Sequence, residues 1–384
     1  PFNRPHPGAR LAAARSANCN SNGLPRGMQG GTIVAEPENQ AEREAYYAKI
    51  DKTDMSPLWT TTLVPPLPKD FVRAVPHLWD FDNQLRPLLI EAGGLITAFE
   101  ANRRVLSLEN PGLDQPPRIL ESLYAGLQMI LPGECAPAHK HTPSALRFIL
   151  EGEGAWTAVS GEKSYMKPGD FIITPSMTWH DHGHDGDGPF FWMDGLDIPM
   201  VAAFGPMFFE GYPEDRAPLH RPPGDSRARY GANMRPAGES WDNPESPIFH
   251  YPYEPSREAL EELRKNDEWD PYAGIKLEYI DPTTGGSAMP TMSTFLQLLP
   301  KGFKTEAYRS TENTVFSPVE GTGRIIAGEP GAEKTIEWKP RDIFAIPCWV
   351  AYRLEADTEA TLFSYTDRTA QVKLGLWREL RGNA

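Results

Sequence analysis

Short apolar runs separated by turn residues dominate the chain from residue 101 onward. The first group includes LQMILPGE, ALRFILEGEG, AWTAVSGEK and FIITPSMTWH, which are rich in β-branched and aromatic residues. Short strands at such close intervals are typical of a β-sandwich or a small barrel. A second group of the same kind begins at residue 291. The pattern therefore predicts a mainly β chain with two β units, at 101–200 and 291–384.

The segment between the two units has a different composition. Residues 201–290 are irregular and rich in Pro, Asp and Tyr, and they are expected to form a bridge. One helix is predicted there, at 256–265 (SREALEELRK), with Ser256 as its N-cap. A short terminal helix is predicted at 371–380, within the second β unit.

The chain ahead of the first unit divides into a tail and a helical segment. Residues 1–37 carry four arginines before the first acidic residue and lack apolar periodicity, which predicts a disordered tail. A mitochondrial transit peptide is the alternative, although its prolines and glycines disfavour an amphipathic helix. Residues 38–100 contain two predicted helices, at 38–53 and 80–96, the second capped by Asp80 or Asp82.

The second β unit repeats the first. LQMILPGE (127–134) matches LQLLPKGF (296–303), and MKPGDFIITPSMTWH (166–180) matches WKPRDIFAIPCWVAY (338–352). Alignment on the shared turns places three non-ligand residues where the first copy has histidines: Tyr308 for His139, Ser310 for His141 and Tyr352 for His180. Because the second copy keeps the pattern without the histidines, we expect those of the first copy to serve chemistry.

Charge and cysteine content narrow the possible partners. The 384 residues carry a formal net charge of -14, which disfavours binding to nucleic acid or to an anionic membrane surface. No apolar run approaches the roughly 18 residues of a membrane span. Cys19, Cys135 and Cys348 are an odd number without CxxC pairs, which predicts a reducing compartment, the cytoplasm. A small-molecule ligand is therefore expected.

Histidine is concentrated in one stretch, since five of the nine histidines lie within residues 133–184. His139 and His141 are two residues apart, so both imidazoles would point to the same face of a strand. His180 follows after turns that can fold the chain back. Three neutral imidazoles suit iron, zinc, copper or nickel. The alternative is that these are ordinary core or surface histidines. In the core, three imidazoles without partners would cost free energy to bury.

Two motifs around these histidines resemble those of the cupins, small antiparallel jelly-roll barrels with a metal in the mouth. The motifs are Gly133-x5-His139-x-His141 and Gly169-x5-Pro175-x4-His180. Ala145 stands where cupins usually carry a glutamate ligand, and Met177 and His184 replace a glycine and an asparagine of the second motif. With its repeat, the chain is predicted to be a bicupin with two jelly-roll barrels and a three-histidine site.

At a finer level the chain is similar to the gentisate 1,2-dioxygenase family, which includes salicylate and 1-hydroxy-2-naphthoate dioxygenases. The similarity rests on HKHTPSALRFILEGEGA, PSMTWHDHGHDG and DPTTGGSAMPT, and on the order of segments from Tyr46 to Leu380. It implies an Fe(II) enzyme that cleaves the ring of gentisate, a small aromatic hydroxy acid, with O2 to give maleylpyruvate. The implied iron ligands are His139, His141 and His180.

The same resemblance implies roles for residues around the metal. Arg147 would grip the substrate carboxylate or the bound oxygen, and its parity with His141 would place it on the metal face if Pro143 does not break the strand. Asp194 would orient a histidine ligand through its free ring nitrogen. The other implied pocket residues are Gln128 and Arg103 as substrate contacts, His182 as a hydrogen-bond donor or proton handler, and Tyr124 and Gly126 as walls of the ring pocket.

Two alternatives remain at this point. The enzyme could prefer salicylate or 1-hydroxy-2-naphthoate, because no single residue decides the choice of ring. A non-catalytic bicupin that binds a metal or carbohydrate, or stores nitrogen, is the alternative from another class. Convergent polar candidates such as Arg147, Gln128 and His182 favour the enzyme, since a storage barrel needs none of them. The resemblance also implies a homotetramer.

Overall fold

The structure, a computed structural model, describes residues 39–60, 71–114, 117–266 and 268–382. The chain forms two compact units, Pro1–Val64 and Pro65–Ala384. In the first unit, α1 (Gln40–Ile50) lies within the predicted helix at 38–53, and a 3-10 turn follows at Leu58–Thr60. The predicted tail at 1–37 lies outside the described residues.

In the second unit, residues 105–251 form a first β-barrel from two antiparallel sheets. Ahead of it in the chain lies β1 (His77–Trp79). The strands of the first barrel are β2 (Val105–Ser107), β3 (Tyr124–Ile130), β4 (Cys135–His141), β5 (Ala145–Glu151), β6 (Ala155–Val159), β7 (Glu162–Tyr165), β8 (Phe171–Thr174), β9 (His180–His184), β10 (Phe190–Leu196), β11 (Phe209–Gly211) and β12 (His250–Tyr251). Its larger sheet has the order β12-β8-β5-β10-β3-β2, and its smaller sheet has the order β11-β4-β9-β6-β7.

A second barrel repeats this arrangement. Its strands are β13 (Ile275–Glu278), β14 (Ser293–Leu299), β15 (Tyr308–Ser310), β16 (Thr314–Glu320), β17 (Gly323–Ala327), β18 (Lys334–Trp338), β19 (Ile343–Ile346), β20 (Tyr352–Ala356), β21 (Ala360–Thr366) and β22 (Glu379–Arg381). Its larger sheet runs β1-β19-β16-β21-β14-β13, and its smaller sheet runs β18-β17-β20-β15-β22. Each strand thus has a counterpart in the first barrel, which confirms the predicted mainly β fold with two barrels.

Short helices connect the strands of the second unit. They are α2 (Arg86–Leu95), α3 (Ala98–Ala101), α4 (Ile198–Phe204), α5 (Asp225–Tyr230), α6 (Tyr253–Asn266) and α7 (Arg368–Lys373). A π-helical turn, Phe81–Leu85, leads into α2, and its cap is Asp80, whose carboxylate accepts from Asn83 N at 3.0 Å. In the part of the chain that the structure describes, no helix combines the length and apolar character that crossing a membrane requires.

Two local predictions were wrong. The predicted cap Ser256 lies inside α6, because that helix begins earlier, and the Ser256 hydroxyl donates back to Pro252 O at 2.8 Å. The predicted helix at 371–380 is α7, which ends at Lys373. Gly375 follows with a φ of 73°, a left-handed conformation that ends a helix, and the chain continues into β22.

Each barrel receives an edge strand from the segment that precedes the other barrel. β1 lies ahead of the first barrel but pairs with β19 of the second, with His77 opposite Ala345. β12 lies ahead of the second barrel but pairs with β8 of the first, with His250 opposite Ile172. The bridge at 201–290 therefore supplies strands to both barrels. The boundaries drawn at 101–200, 201–290 and 291–384 stay predictions.

The main hydrophobic core lies between the larger sheets of the two barrels. Phe148 on β5 and Phe363 on β21 stack with ring centroids 4.0 Å apart and planes 6° apart. Tyr365 Oη donates to Tyr124 O at 2.8 Å across the same contact. The neighbouring residue Ile149 belongs instead to a cluster within the first barrel. Because both faces of β5 are buried, its sequence is a nearly continuous apolar run, ALRFIL.

The inter-barrel stack can be tested by truncation. Phe363→Ala should lower the free energy of unfolding by about 3–5 kcal/mol, because it leaves a cavity against Phe148. Phe71→Ala, at a side chain that is 71% exposed, should change it by less than about 0.5 kcal/mol. Urea unfolding followed by circular dichroism measures both. An equal decrease in the free energy of unfolding of the two variants would contradict a core shared by the barrels.

Candidate metal centre and active-site cavity

Three histidine rings converge where β4 and β9 lie side by side. His139 and His141 alternate along β4, and His139 is paired in register with His180 on β9. Ring centroids are 5.5 Å apart for His139–His141, 5.0 Å for His141–His180 and 4.1 Å for His139–His180. One nitrogen of each ring lies within 4.8 Å of the others. The fold therefore brings the predicted triad together.

Backbone carbonyls orient all three rings. The Nδ1 atoms of His139, His141 and His180 lie 2.8, 2.8 and 2.9 Å from the carbonyl oxygens of Pro137, Pro143 and Thr178. A carbonyl only accepts, so each Nδ1 must carry the proton and each Nε2 must present its lone pair. His180 Nε2 is buried with no hydrogen-bond partner in the described chain. A metal ion held by the three Nε2 atoms would satisfy it.

The three imidazoles are neutral near pH 7. Burial, together with the charge of Arg103, lowers the pKa of His139 to about 3, and burial lowers the pKa of His141 to about 4. Burial also holds the pKa of His180 well below its usual value. Neutral imidazole is the form that binds metals, and three such nitrogens suit a divalent transition metal. The residues present therefore fit a metal ion.

Arg103 lies directly against the triad. Its Nη1 donates to His139 Nε2 at 2.6 Å, and its guanidinium lies 5.7 Å from the centroid of the Phe209 ring. Phe209 in turn stacks on His139 at 5.3 Å. One lone pair cannot serve both a guanidinium and a metal ion, so this contact and a metal bound at His139 exclude each other. Arg103 thus borders both the triad and the cavity beside it.

A cavity of about 280 Å³ opens beside the triad. Its polar wall contains five residues: Arg103, Gln128, His141, Arg147 and Asp194. The remaining wall is mostly apolar and includes Val105, Tyr124, Ala145, Leu196, Ile198, Met207, Phe208 and Phe209. A few convergent polar groups in an apolar cleft are typical of a small-molecule site.

Arg147 is a buried cation fixed from two sides. Its side chain is 3% exposed, and Nη1 donates to the hydroxyl of Thr174 on the neighbouring strand β8. Asp194 on β10, the strand on the other side, lies 3.5 Å from Arg147 Nε. Burial lowers the pKa of Arg147 to about 10 and raises that of Asp194 to about 6. At this distance Arg147 Nε makes no hydrogen bond to Asp194, and it has no other hydrogen-bond partner within the described residues.

Comparison with known proteins identifies the family. Residues 126–198 match the cupin domain model. The chain is 53% identical to gentisate 1,2 dioxygenase 1 of Aquipseudomonas alcaligenes over 350 residues, which cover 91% of this chain and 99% of that relative. The chain belongs to the gentisate 1,2-dioxygenase family. It is also 32% identical to 1-hydroxy-2-naphthoate 1,2-dioxygenase of Nocardioides sp. (strain KP7), over 79% of this chain and 78% of that protein.

A solved relative supports the family assignment. Salicylate 1,2-dioxygenase from Pseudoaminobacter salicylatoxidans, in its adduct with gentisate, matches with a TM-score of 0.83 and 32% identity, over 92% of this chain and 98% of that one. The predicted bicupin fold and membership of the gentisate 1,2-dioxygenase family, whose members are ring-cleaving dioxygenases, are confirmed.

Two predicted details of this family member need correction. Arg147 was expected to share a strand face with His141 if Pro143 did not break the strand, but β4 ends at His141 and Arg147 lies on β5 in the other sheet. It reaches the cavity because the two sheets face each other. Asp194 was expected to orient a histidine ligand, yet backbone carbonyls hold the three Nδ1 atoms. Its carboxylate instead accepts from Trp192 Nε1 at 3.0 Å and pairs with Arg147.

The other histidines of β9 differ in surroundings. His182 is 1% exposed, lies with its ring 5.8 Å from that of His180, and has no hydrogen-bond partner on either nitrogen within the described residues. It lies inside the barrel and does not border the cavity, so its proton-handling role stays a prediction. His184 Nε2 donates to Gly188 O at 2.6 Å, which is a structural contact.

Gln128, Tyr124 and Gly126 line up along β3 beside the cavity. Gln128 is 3% exposed and lines the cavity. Tyr124 Oη shares a hydrogen bond of 2.9 Å with Ser107 Oγ. A Cβ at Gly126 would lie 2.7 Å from that phenol oxygen and 2.6 Å from Val105 Cγ1. Glycine at this position therefore lets the tyrosine ring lie across the strand.

Several cavity residues had no recognisable signal in the sequence. Met207, Phe208 and Phe209 fall in the segment read as a bridge, yet β11 pairs with β4 and places Phe209 opposite His141. Thr174 reads as an ordinary strand residue, although its hydroxyl anchors Arg147. The positions of these residues beside the triad and beside Arg147 depend on contacts between segments that are distant in sequence.

The triad can be tested by metal content. His139→Ala, His141→Ala and His180→Ala should each lose most of the bound metal, because two imidazoles hold a divalent ion far more weakly than three. His184→Ala removes a histidine from β9, the strand of His180, and should retain the metal. Elemental analysis after anaerobic loading with a divalent transition metal and desalting measures this. Native metal content in any of the three variants would remove that residue from the ligand set.

The second barrel keeps the geometry without the ligands. Tyr308 on β15 pairs in register with Tyr352 on β20, as His139 pairs with His180, and their rings lie 5.8 Å apart. Ser310 Oγ donates to Glu312 at 3.1 Å. In the described part of the chain, only the first-barrel histidines form a cluster with metal-ligand spacing.

Proposed function

We propose that the protein is an Fe(II)-dependent gentisate 1,2-dioxygenase that converts gentisate and O2 to maleylpyruvate. The observation that carries the proposal is a triad of neutral imidazoles beside a cavity with two arginines, His139, His141 and His180 with Arg103 and Arg147. The 53% identical relative is named gentisate 1,2 dioxygenase 1, and the related salicylate enzyme was solved in an adduct with gentisate.

The charge of the site favours an anionic substrate. Three neutral imidazoles leave the full charge of a divalent metal uncompensated, since Ala145 stands where other cupins carry a carboxylate. Arg147 and Arg103 add positive charge, and Asp194 offsets only part of it. An aromatic acid bound to the metal through its carboxylate and adjacent hydroxyl would neutralise this excess positive charge.

The protein residues would bind and orient the substrate. Arg147, held by Thr174 and Asp194, would donate to the substrate carboxylate in a fixed geometry, while Arg103 would leave His139 to contact the same ligand. Gln128 would donate to a ring oxygen. Apolar walls such as Phe208 and Ile198 would cover the ring and exclude water.

The reaction class follows from the substrate and the metal. Bound Fe(II) would supply electron transfer between the electron-rich ring and dioxygen. Both atoms of O2 enter the product, and the ring bond between the carboxylate-bearing carbon and its hydroxylated neighbour breaks. On the family resemblance we also propose a homotetramer. The proposed location is the cytoplasm, where Cys135 and Cys348 would remain free thiols.

Substrate choice can be tested with an oxygen electrode. The iron-loaded protein should consume O2 fastest with gentisate and form a ring-opened product that absorbs in the near ultraviolet. Salicylate and 1-hydroxy-2-naphthoate should react more slowly, because they lack the para hydroxyl that enriches the ring in electrons. Faster uptake with either of them would reassign the substrate. An iron-loaded sample inert to all three would refute the enzyme.

The role of Arg147 can be tested separately from metal binding. Arg147→Ala should keep native iron content but lower kcat/KM for gentisate on the order of 100- to 1,000-fold, because an oriented charged donor is lost. Arg257→Ala serves as the matched control, since it removes an ion-paired arginine on α6, away from the cavity. Steady-state oxygen uptake compares them. Similar kcat/KM in the two variants would refute the substrate contact.

A further inference from the structure

Two turns carry the carbonyl groups that orient His141 and His180, and Glu245 of the bridge lies between these turns. The first turn, residues 142–144, follows β4, and its Pro143 O holds the ring of His141. The second turn, residues 175–179, precedes β9, and its Thr178 O holds the ring of His180. Any shift of either turn would therefore rotate an imidazole of the triad.

Glu245 joins these turns through one carboxyl oxygen. Its Oε1 accepts from Ser144 Oγ at 2.6 Å and from the backbone N of Ser176 at 2.8 Å. The Ser176 hydroxyl donates to Thr142 O at 2.6 Å, which ties the two turns directly as well. Glu245 is 0% exposed, so no solvent competes for these bonds.

Glu245 is itself anchored outside the metal-bearing sheet. Its backbone O accepts from Trp241 Nε1 at 2.6 Å, and its backbone N donates to Asn243 Oδ1 at 2.9 Å. The following residue, Ser246, donates from its N to Ala288 O at 2.9 Å. These contacts fix the position of Glu245 within the bridge, and with it the position of the carboxyl group.

We propose that Glu245 is a positioning residue for the metal centre, which holds the two turns at the spacing that aims His141 and His180 at one ion. The role rests on the metal site proposed above. Outer partners of this kind preserve metal affinity by fixing the direction of the ligand lone pairs, without touching metal or substrate.

The state of the carboxyl group indicates which substitution should preserve the role. Burial raises the pKa of Glu245 to about 8, so the group is largely neutral at pH 7. Both bonds use Oε1, and Oε2 has no hydrogen-bond partner among the residues described. The amide oxygen of glutamine can accept the same two bonds, whereas alanine can accept neither.

The test is Fe(II) affinity, measured anaerobically by competition with a chromophoric chelator. Glu245→Ala should raise the Kd for Fe(II) on the order of 10-fold, while Glu245→Gln should stay near the native value. Ser144→Ala removes one of the two bonds and should produce a smaller rise, which keeps the test decisive if Glu245→Ala fails to fold. The melting temperature of each metal-free variant is recorded in parallel.

Glu162 provides a matched control. It is a buried glutamate that accepts from the N and Oγ of Ser226 at 2.9 and 3.0 Å, but it contacts neither turn. Glu162→Ala should lower the melting temperature and leave the Kd unchanged. An unchanged Kd in Glu245→Ala or Ser144→Ala, or an equal rise in Glu162→Ala, would overturn the positioning role alone. A native protein without Fe(II) affinity would overturn the metal site together with it.

Discussion

Burial of both faces of the two larger sheets is the constraint on which the rest of the molecule depends. Along β5, Phe148 packs against the other barrel while its neighbour Arg147 faces the mouth of its own barrel. Since side chains alternate along a strand, the inter-barrel stack fixes which residues of β5 face the site. A one-residue slip would place the arginine in the apolar core, so the packing enforces the register of the site.

Much of the fold could be predicted, because its evidence is local. Turn residues and apolar runs marked the strands, and the two-residue spacing of His139 and His141 placed both rings on one face. The repeat was visible in shared turns, and the registers His139–His180 and Tyr308–Tyr352 agree with it.

What the sequence did not reveal depends on distant contacts. Arg147 was expected near the metal for the wrong reason, since facing sheets and not strand parity bring it there. Asp194 looked like a partner for a histidine, but backbone carbonyls already hold the rings, and a carbonyl carries no signal in the sequence. Glu245 lies 101 residues from Ser144, so no local pattern could associate them.

The exchange of edge strands has a consequence for the second barrel. With Tyr308, Ser310 and Tyr352 in the positions of the histidines, that barrel still forms both of its sheets. Losing the barrel altogether would leave β1 without its partner β19 and would expose the face of β5 that Phe148 occupies. The barrel that lacks the histidine triad is therefore a structural half of the barrel that carries it. We expect its residues to tolerate substitution far better than the molecule would tolerate its deletion, and we expect the first barrel to fold poorly when it is excised.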